Sequence, residues 1–314
     1  MAIVVASEKQ EASRGAAENQ AAGTPYGCLP CIVCHGRDAR AALPAHPWLV
    51  KCDTCGLMRV HPAPNDDLLA EIYDEDYFRT FGYAEGAEQA YRAIRAQSAG
   101  RLLSLAERHF AVGQLLDVGS GLGDLLAEAM RRGWHAMGVE PNAWAANQAD
   151  GVAPGATDVG GIEDFSFGEM RFDLVTCVDV IEHLKRPDEA LRSLHSSLRP
   201  GGGLVMTTPN VGSVLARVLG AHWPHYHIDH LWYFNRATLT ALVEQAGFEV
   251  LDWRPAPKIF NIAYVAGIFR QNAKAAWVRR AADGCLRHLP APLLARPLPA
   301  IPEGQLIVAG RREC

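Results

Sequence analysis

Residues 114–142, QLLDVGSGLGDLLAEAMRRGWHAMGVEPN, leave this chain few ways to fold. Leu115, Leu116 and Val118 form a short apolar run of the kind that a strand buried on both faces requires. Gly119-x-Gly121-x-Gly123 makes a tight turn, and DLLAEAMRRG reads as a helix ending at Gly133. HAMGVE then predicts a second strand ending at Glu140. This is a β-α-β unit whose glycines let the backbone approach a ligand and whose acid is placed for ribose hydroxyls. The spacing is GxGxG rather than GxGxxG, and Asp117 ends the first strand just before the glycines. A carboxylate there would repel a pyrophosphate but suits a ligand carrying an ammonium and a sulfonium.

The rest of the chain narrows the class. Its 314 residues allow one large domain and a small appendage, and 49% hydrophobic residues can bury a sizeable core. The net charge of −5 argues against gripping a phosphate backbone, so no nucleic-acid partner is expected. Residues 1–25 read as a disordered tail without a signal h-region, and no run of eighteen apolar residues occurs, so the expected compartment is cytoplasmic. Five of the eight cysteines fall between 28 and 55. Cys31-x2-Cys34 and Cys52-x2-Cys55, seventeen residues apart, have the spacing of a four-thiolate structural Zn²⁺ site, defining a ribbon over 26–64. Cys28-x2-Cys31 has ligand spacing too; the later pair is preferred because Gly36 would then match Gly56. Four basic residues offset by two acids give this ribbon too little charge to favour nucleic-acid recognition.

From about 110 to 312 the sequence resembles the class I S-adenosylmethionine-dependent methyltransferases. FDLVTCVDVIEHLKRPDEALRSLHSSLRPGGGLVMTTPN (172–210) is similar to that family's fourth strand, fourth helix and fifth strand, including the RPGG turn. TLTALVEQAGFEVLDW (238–253) resembles its last helix and sixth strand, and GQLIVAGRR (304–312) its closing antiparallel strand. The resemblance implies a Rossmann-like seven-stranded α/β sheet with helices on both faces, spanning 111–314 with an insertion at 254–303. With the ribbon and the following CGLMRVHPAPNDDLLAEIYDEDYF, it resembles bacterial methyltransferases of sugars, polyketides or other small glycan-linked molecules. It implies that Gly119, Gly121 and Gly123 line the methionine and ribose of S-adenosyl-L-methionine, with Asp117 near its amino end. Glu140 would hold the ribose hydroxyls, Ile162 would contact the adenine ring, and Glu163 or Asp164 would face its amine. Val178 and Asp179 would flank the methionine. Residues 65–110 would form a helical lid, with Tyr77, Phe78 and Tyr83 as candidates to cover the cofactor. Some quinone-pathway O-methyltransferases resemble Asp179-x-x-Glu182-His183 and use a divalent metal there; the plainer reading gives Glu182 and His183 a structural role.

GAHWPHYHIDHLWYFN (220–235) places four histidines within nine positions. In this family the segment lies over the carboxyl edge of the sheet, beside the transferred methyl group. A neutral imidazole is a suitable base for a hydroxyl or an acidic C–H. The expected order for the base is His227, then His230, then His225 and Tyr226. Asn235 or Thr238 is placed to cap the next helix. The acceptor would be a small molecule, methylated on oxygen or carbon. The insertion 254–303 is expected to serve as a substrate-side lid or homodimer contact, with membrane-surface contact a lesser possibility. A zinc-module RNA methyltransferase is the first rival; it would need a basic surface and an NPPY-like motif, where this chain has TTPN. A non-catalytic cofactor-binding module is the second.

Overall fold

The computed structural model describes residues 30–73, 88–258, 276–294 and 301–312, with isolated positions between 262 and 298. The tail 1–25, Cys28 and the lid candidates Tyr77, Phe78 and Tyr83 lie outside the described residues.

Seven strands form the main sheet: β4 (Gln114–Val118), β5 (His135–Glu140), β6 (Thr157–Val159), β7 (Phe172–Val178), β8 (Leu198–Pro209), β10 (Phe248–Lys258) and β11 (Ile301–Arg311). Their order is β10-β11-β8-β7-β4-β5-β6, with β4, β5, β6, β7 and β8 parallel and β11 antiparallel to both neighbours. The chain order reverses between β4 and β7. Open α/β sheets bind ligands in the crevice beyond the carboxyl ends of such a pair of strands.

Helices cover both faces, with α1 (Asp66–Ile72) ahead of the sheet in the chain and α4 (Ala143–Asp150) following β5. Leu116 and Val118 of β4 share a core with Leu191 and Leu194 of α5 (Pro187–Ser197) and Leu239 and Leu242 of α7 (Arg236–Gln245). On the opposite face Leu115 packs with Leu103 and Ala106 of α2 (Glu88–Ala106) and Ala129 of α3 (Asp124–Arg131). Arg95 of α2 reaches Asp124 in the first turn of α3 at 2.6 Å, tying that helix to the end of the glycine turn. Asn235 caps α7 as expected and forms a capping box with Thr238. Among the described residues no helix is long and apolar enough to cross a membrane.

The ribbon strands β1 (Ala39–Leu43), β2 (His46–Cys52) and β3 (Met58–Val60) form a second sheet, completed by β9 (Trp232–Tyr233). β9 belongs to the histidine-rich connection after β8, and Met58 and Arg59 pair with Tyr233 and Trp232. The ribbon is therefore not a separate appendage. Trp48, Leu49 and Val60 pack with Trp223, Ile228 and Tyr233, so strand pairing and apolar burial hold the connection to the ribbon.

One detail of the ribbon differs from the sequence reading. Cys31 and Cys52 each accept a backbone hydrogen bond four residues on, from His35 and Gly56, and those two residues have φ of +56° and +80°. His35, not Gly36, is thus the counterpart of Gly56. Gly36 is needed for space: a Cβ there would stand 2.7 Å from Thr54 Oγ1 and 3.3 Å from Cys34 Sγ.

Candidate active site

The carboxyl ends of β4, β5, β7 and β8 share one edge, and the glycine turn lies on it. Gly119, Gly121 and Gly123 have φ of +67°, +53° and +78°, values that L side chains adopt at a cost. A Cβ on Gly119 would lie 2.4 Å from Val180 Cγ2, so the turn and the segment after β7 touch across the sheet's reversal point. Glu140, buried at the end of β5, accepts from Gly121 N at 2.9 Å and from Asn142 N at 3.0 Å. It clamps the turn, and each oxygen keeps a further acceptor direction.

This edge is acidic. Asp117 is fully buried and accepts from Thr176 Oγ1 at 2.6 Å. Burial pushes its carboxyl up to about 7; the Thr176 bond opposes the rise and the Glu140 charge adds to it. Burial, followed by the charges of Glu182, Asp117 and Asp179, raises the neighbouring Cys177 thiol. Asp179 has φ of +53° and accepts from Thr207 Oγ1 at 3.2 Å. A left-handed aspartate at this point marks a corner shaped by something other than chain economy. Val178 closes β7 opposite Thr207.

These residues fit S-adenosyl-L-methionine. Positive-φ glycines open a backbone cradle, and the concentration of carboxylates suits a sulfonium and ammonium and opposes a pyrophosphate. Ile162 is buried in the same core. Glu163 accepts from the backbone N–H groups of Arg186 at 2.7 Å and Lys185 at 3.4 Å, and so serves the start of α5, while Asp164 is exposed. Neither acid is held toward an adenine amine by these contacts.

The histidines converge on His230, whose ring centroid lies 4.7 Å from that of His183, 5.8 Å from His225 and 5.6 Å from His227. Their surroundings differ. His225 Nε2 lies 3.2 Å from Oε1 of Glu303, a buried carboxylate at the start of β11. His227 is exposed. Tyr226 faces the ribbon, ringed by His46, Trp223 and Tyr233, and burial raises its hydroxyl further from a useful base. The expected order, with His227 first and Tyr226 included, therefore gives way to His225. Glu303 escaped the sequence reading because it stands 78 positions from His225 with no local motif.

Glu182, His183 and His230 bring one ligand atom each within 4.8 Å of one another. His183 Nδ1 lies 2.9 Å from Asp229 O and 2.5 Å from Tyr73 Oη, so that nitrogen is already engaged. Asp179, part of the sequence-level trio, is not in this set. The four ribbon cysteines converge as well, with Cys31 Sγ 3.5 Å from Cys55 Sγ and Cys34 Sγ 3.5 Å from Cys52 Sγ. Thiolates around a tetrahedral Zn²⁺ stand roughly 3.8 Å apart, so the donor type and spacing fit that ion.

Comparison with known proteins agrees with this geometry. A family model described as "Methyltransferase domain" matches residues 87–252. The ubiquinone biosynthesis O-methyltransferase of Aeromonas salmonicida (strain A449) is 33% identical over 153 residues, 44% of this chain. That match spans 64% of the Aeromonas protein, just under two thirds of its length. The enzyme of the same name from Pseudomonas aeruginosa (strain UCBPP-PA14) is 29% identical over 169 residues, 48% of this chain and 72% of the relative. In fold, the chain is similar to magnesium protoporphyrin IX methyltransferase of Synechocystis PCC 6803, crystallised with S-adenosylhomocysteine (TM-score 0.51, 12% identity, 79% and 100% coverage). A Bacillus halodurans C-125 protein, described as a "putative methyltransferase", gives TM-score 0.51 at 18% identity, covering 69% of this chain and all of that one. The glycine turn, the strand order and a family match over more than half its length show that this chain belongs to the class I S-adenosylmethionine-dependent methyltransferases.

Proposed function

We propose that the chain methylates a small-molecule acceptor, on oxygen in preference to carbon, with His225 as general base and a structural Zn²⁺ held by Cys31, Cys34, Cys52 and Cys55. The observation that carries the base assignment is the contact between His225 and the buried Glu303. A carboxylate 3.2 Å from Nε2 favours the tautomer with its proton on that nitrogen and leaves Nδ1 to take the acceptor's proton. The names of the curated relatives favour oxygen. Unpaired cysteines among the described residues suit a reducing, cytoplasmic setting.

The bound cofactor supplies an electrophilic methyl on a sulfonium. Glu140 would hold the ribose hydroxyls, and Asp117 and Asp179 would face the cationic methionine end. His225 Nδ1 would take the acceptor's proton as its oxygen attacks, with Glu303 facing the ring's other nitrogen. His225→Ala is expected to lower turnover about 100-fold or more and Glu303→Gln about tenfold, with His227→Ala within threefold of wild type. Affinity for S-adenosylhomocysteine should be unchanged in all three. Labelled cofactor and a metabolite extract, with product identification by mass spectrometry, give the assay; full turnover in His225→Ala would remove the base.

Asp117 makes a separate prediction. Its folded value lies above that of an unfolded aspartate, so its contribution to stability is present at low pH and is lost as pH rises through about 7. A bound ammonium reverses that preference by favouring the carboxylate. Cofactor binding near pH 6.5 should therefore release a fraction of a proton, and affinity should fall as pH drops below about 7. Calorimetry in buffers of different ionisation enthalpy measures this; release that persists in Asp117→Asn would assign the proton elsewhere.

A second reading rests on the Glu182, His183 and His230 convergence. His183 has the backing expected of a metal ligand, one ring nitrogen against a backbone carbonyl. Two imidazoles and a carboxylate suit a first-row transition ion better than Mg²⁺, and such an ion would polarise the acceptor oxygen. Turnover that rises with added Mn²⁺ or Fe²⁺ and is lost in Glu182→Gln would support it; turnover indifferent to both would exclude it.

A further inference from the structure

The insertion between β10 and β11 starts and ends at the candidate-site edge. Gly304 of β11 pairs with Pro209 at the carboxyl end of β8, and Glu303 beside it meets His225. Its charge is the reverse of the whole chain's. Residues 254–303 carry eight arginines and lysines against two acids, Asp283 and Glu303, in a protein of net charge −5.

Exposed apolar surface collects in the insertion and on the helix that packs against β11. Among the described residues, five of the ten exposed large apolar side chains lie on α6 (Val214–Leu219) or in the insertion. Val214 and Val218, one turn apart on α6, are 74% and 76% exposed, and Arg217 lies exposed between them. α6 packs against β11, the strand through which the insertion returns. Within the insertion, α8 (Ala276–His288) turns Ala282 inward, while Trp277 is 75% exposed. Arg280 and Arg287 follow Trp277 at helical spacing on that outer side and are exposed. Leu289 and Leu293 extend the apolar surface beyond the helix.

We propose that the insertion docks on an anionic lipid bilayer, with Trp277, Leu289 and Leu293 entering the interface and Arg280 and Arg287 facing the headgroups. Tryptophan favours the headgroup level, and arginines near an anionic leaflet add attraction that salt weakens. Other occupants fit less well. Aliphatic side chains gain nothing from a phosphodiester backbone, which rewards cations and stacking rings. A two-fold dimer through this patch would bring its two copies, both positively charged, face to face. Docking here does not depend on which acceptor atom is methylated.

Flotation of the full chain with phosphatidylcholine vesicles, with and without about 30% phosphatidylglycerol, tests the assignment. The expected result is binding to the anionic vesicles alone, weakened by salt. Arg280→Glu/Arg287→Glu should reduce it at least tenfold and Trp277→Ala about fivefold, while S-adenosylhomocysteine affinity stays at the wild-type value. Equal binding by variants and wild type, or no binding to anionic vesicles, would overturn the proposal. Salt-sensitive retention of RNA that the double variant loses, without vesicle binding, would replace the bilayer by a nucleic acid.

Discussion

Gly119→Ala lowers affinity for S-adenosylhomocysteine at least about 100-fold in a chain that still folds. Two independent costs meet at this position. The backbone sits at φ of +67°, where an alanine is disfavoured by roughly 1 kcal/mol. The added Cβ would stand 2.4 Å from Val180 Cγ2, a contact that must open. Val180 is β-branched and follows Asp179, itself held at φ of +53°, so relief pushes on the corner assigned to the methionine end. About 3 kcal/mol lost from binding is a factor of about 100. The sheet has no need of the turn's exact path: Leu115, Leu116 and Val118 keep their burial in both faces of the core. Calorimetry with the homocysteine product and far-UV circular dichroism measure the two halves of this expectation. An affinity within threefold of wild type would mean that the turn does not cradle the cofactor.

The contrast between this turn and the histidine loop shows what the sequence could and could not carry. Glycines, strand and helix lie within thirty residues in order, and each element reports its own period, so the β-α-β unit could be read directly, while the seven-stranded sheet followed from the family resemblance. Asn235 and Thr238 were legible for the same reason, since a cap is a local pattern. What failed to show was pairing over distance. β9 is two residues long, and nothing in Trp232–Tyr233 announces that its partner is Met58–Arg59. Glu303 and His225 meet only because β11 returns antiparallel beside β8. Glu163 looked available to an adenine because its partners, the amides of Lys185 and Arg186, come from a different loop. His227 ranked first by position alone; burial and a carboxylate partner, which distinguish His225, are properties of the packed molecule.

Cys34→Ser/Cys52→Ser is expected to remove one zinc per chain and to cut turnover about 100-fold or more, with S-adenosylhomocysteine affinity within threefold of wild type. The asymmetry follows from how the ribbon is attached. Cys34 and Cys52 belong to different knuckles, and their sulfurs lie 3.5 Å apart, so the pair spans the proposed metal site. A stretch this short relies on its metal for its fold. Loss of that centre frees β2 and β3, and β3 is the partner that holds β9. Trp48, Leu49 and Val60 leave the cluster that seats Trp223, Ile228 and Tyr233, so the loop bearing His225 and His230 loses one of its walls. The glycine turn depends on Glu140, Asn142 and the main sheet, none of which the ribbon strands pair with. Metal content by elemental analysis, cofactor affinity by calorimetry and methyl transfer to the identified acceptor separate the three effects. Full turnover in a zinc-free double variant would make the ribbon a passive staple; loss of cofactor affinity in parallel with turnover would show that it supports the whole sheet.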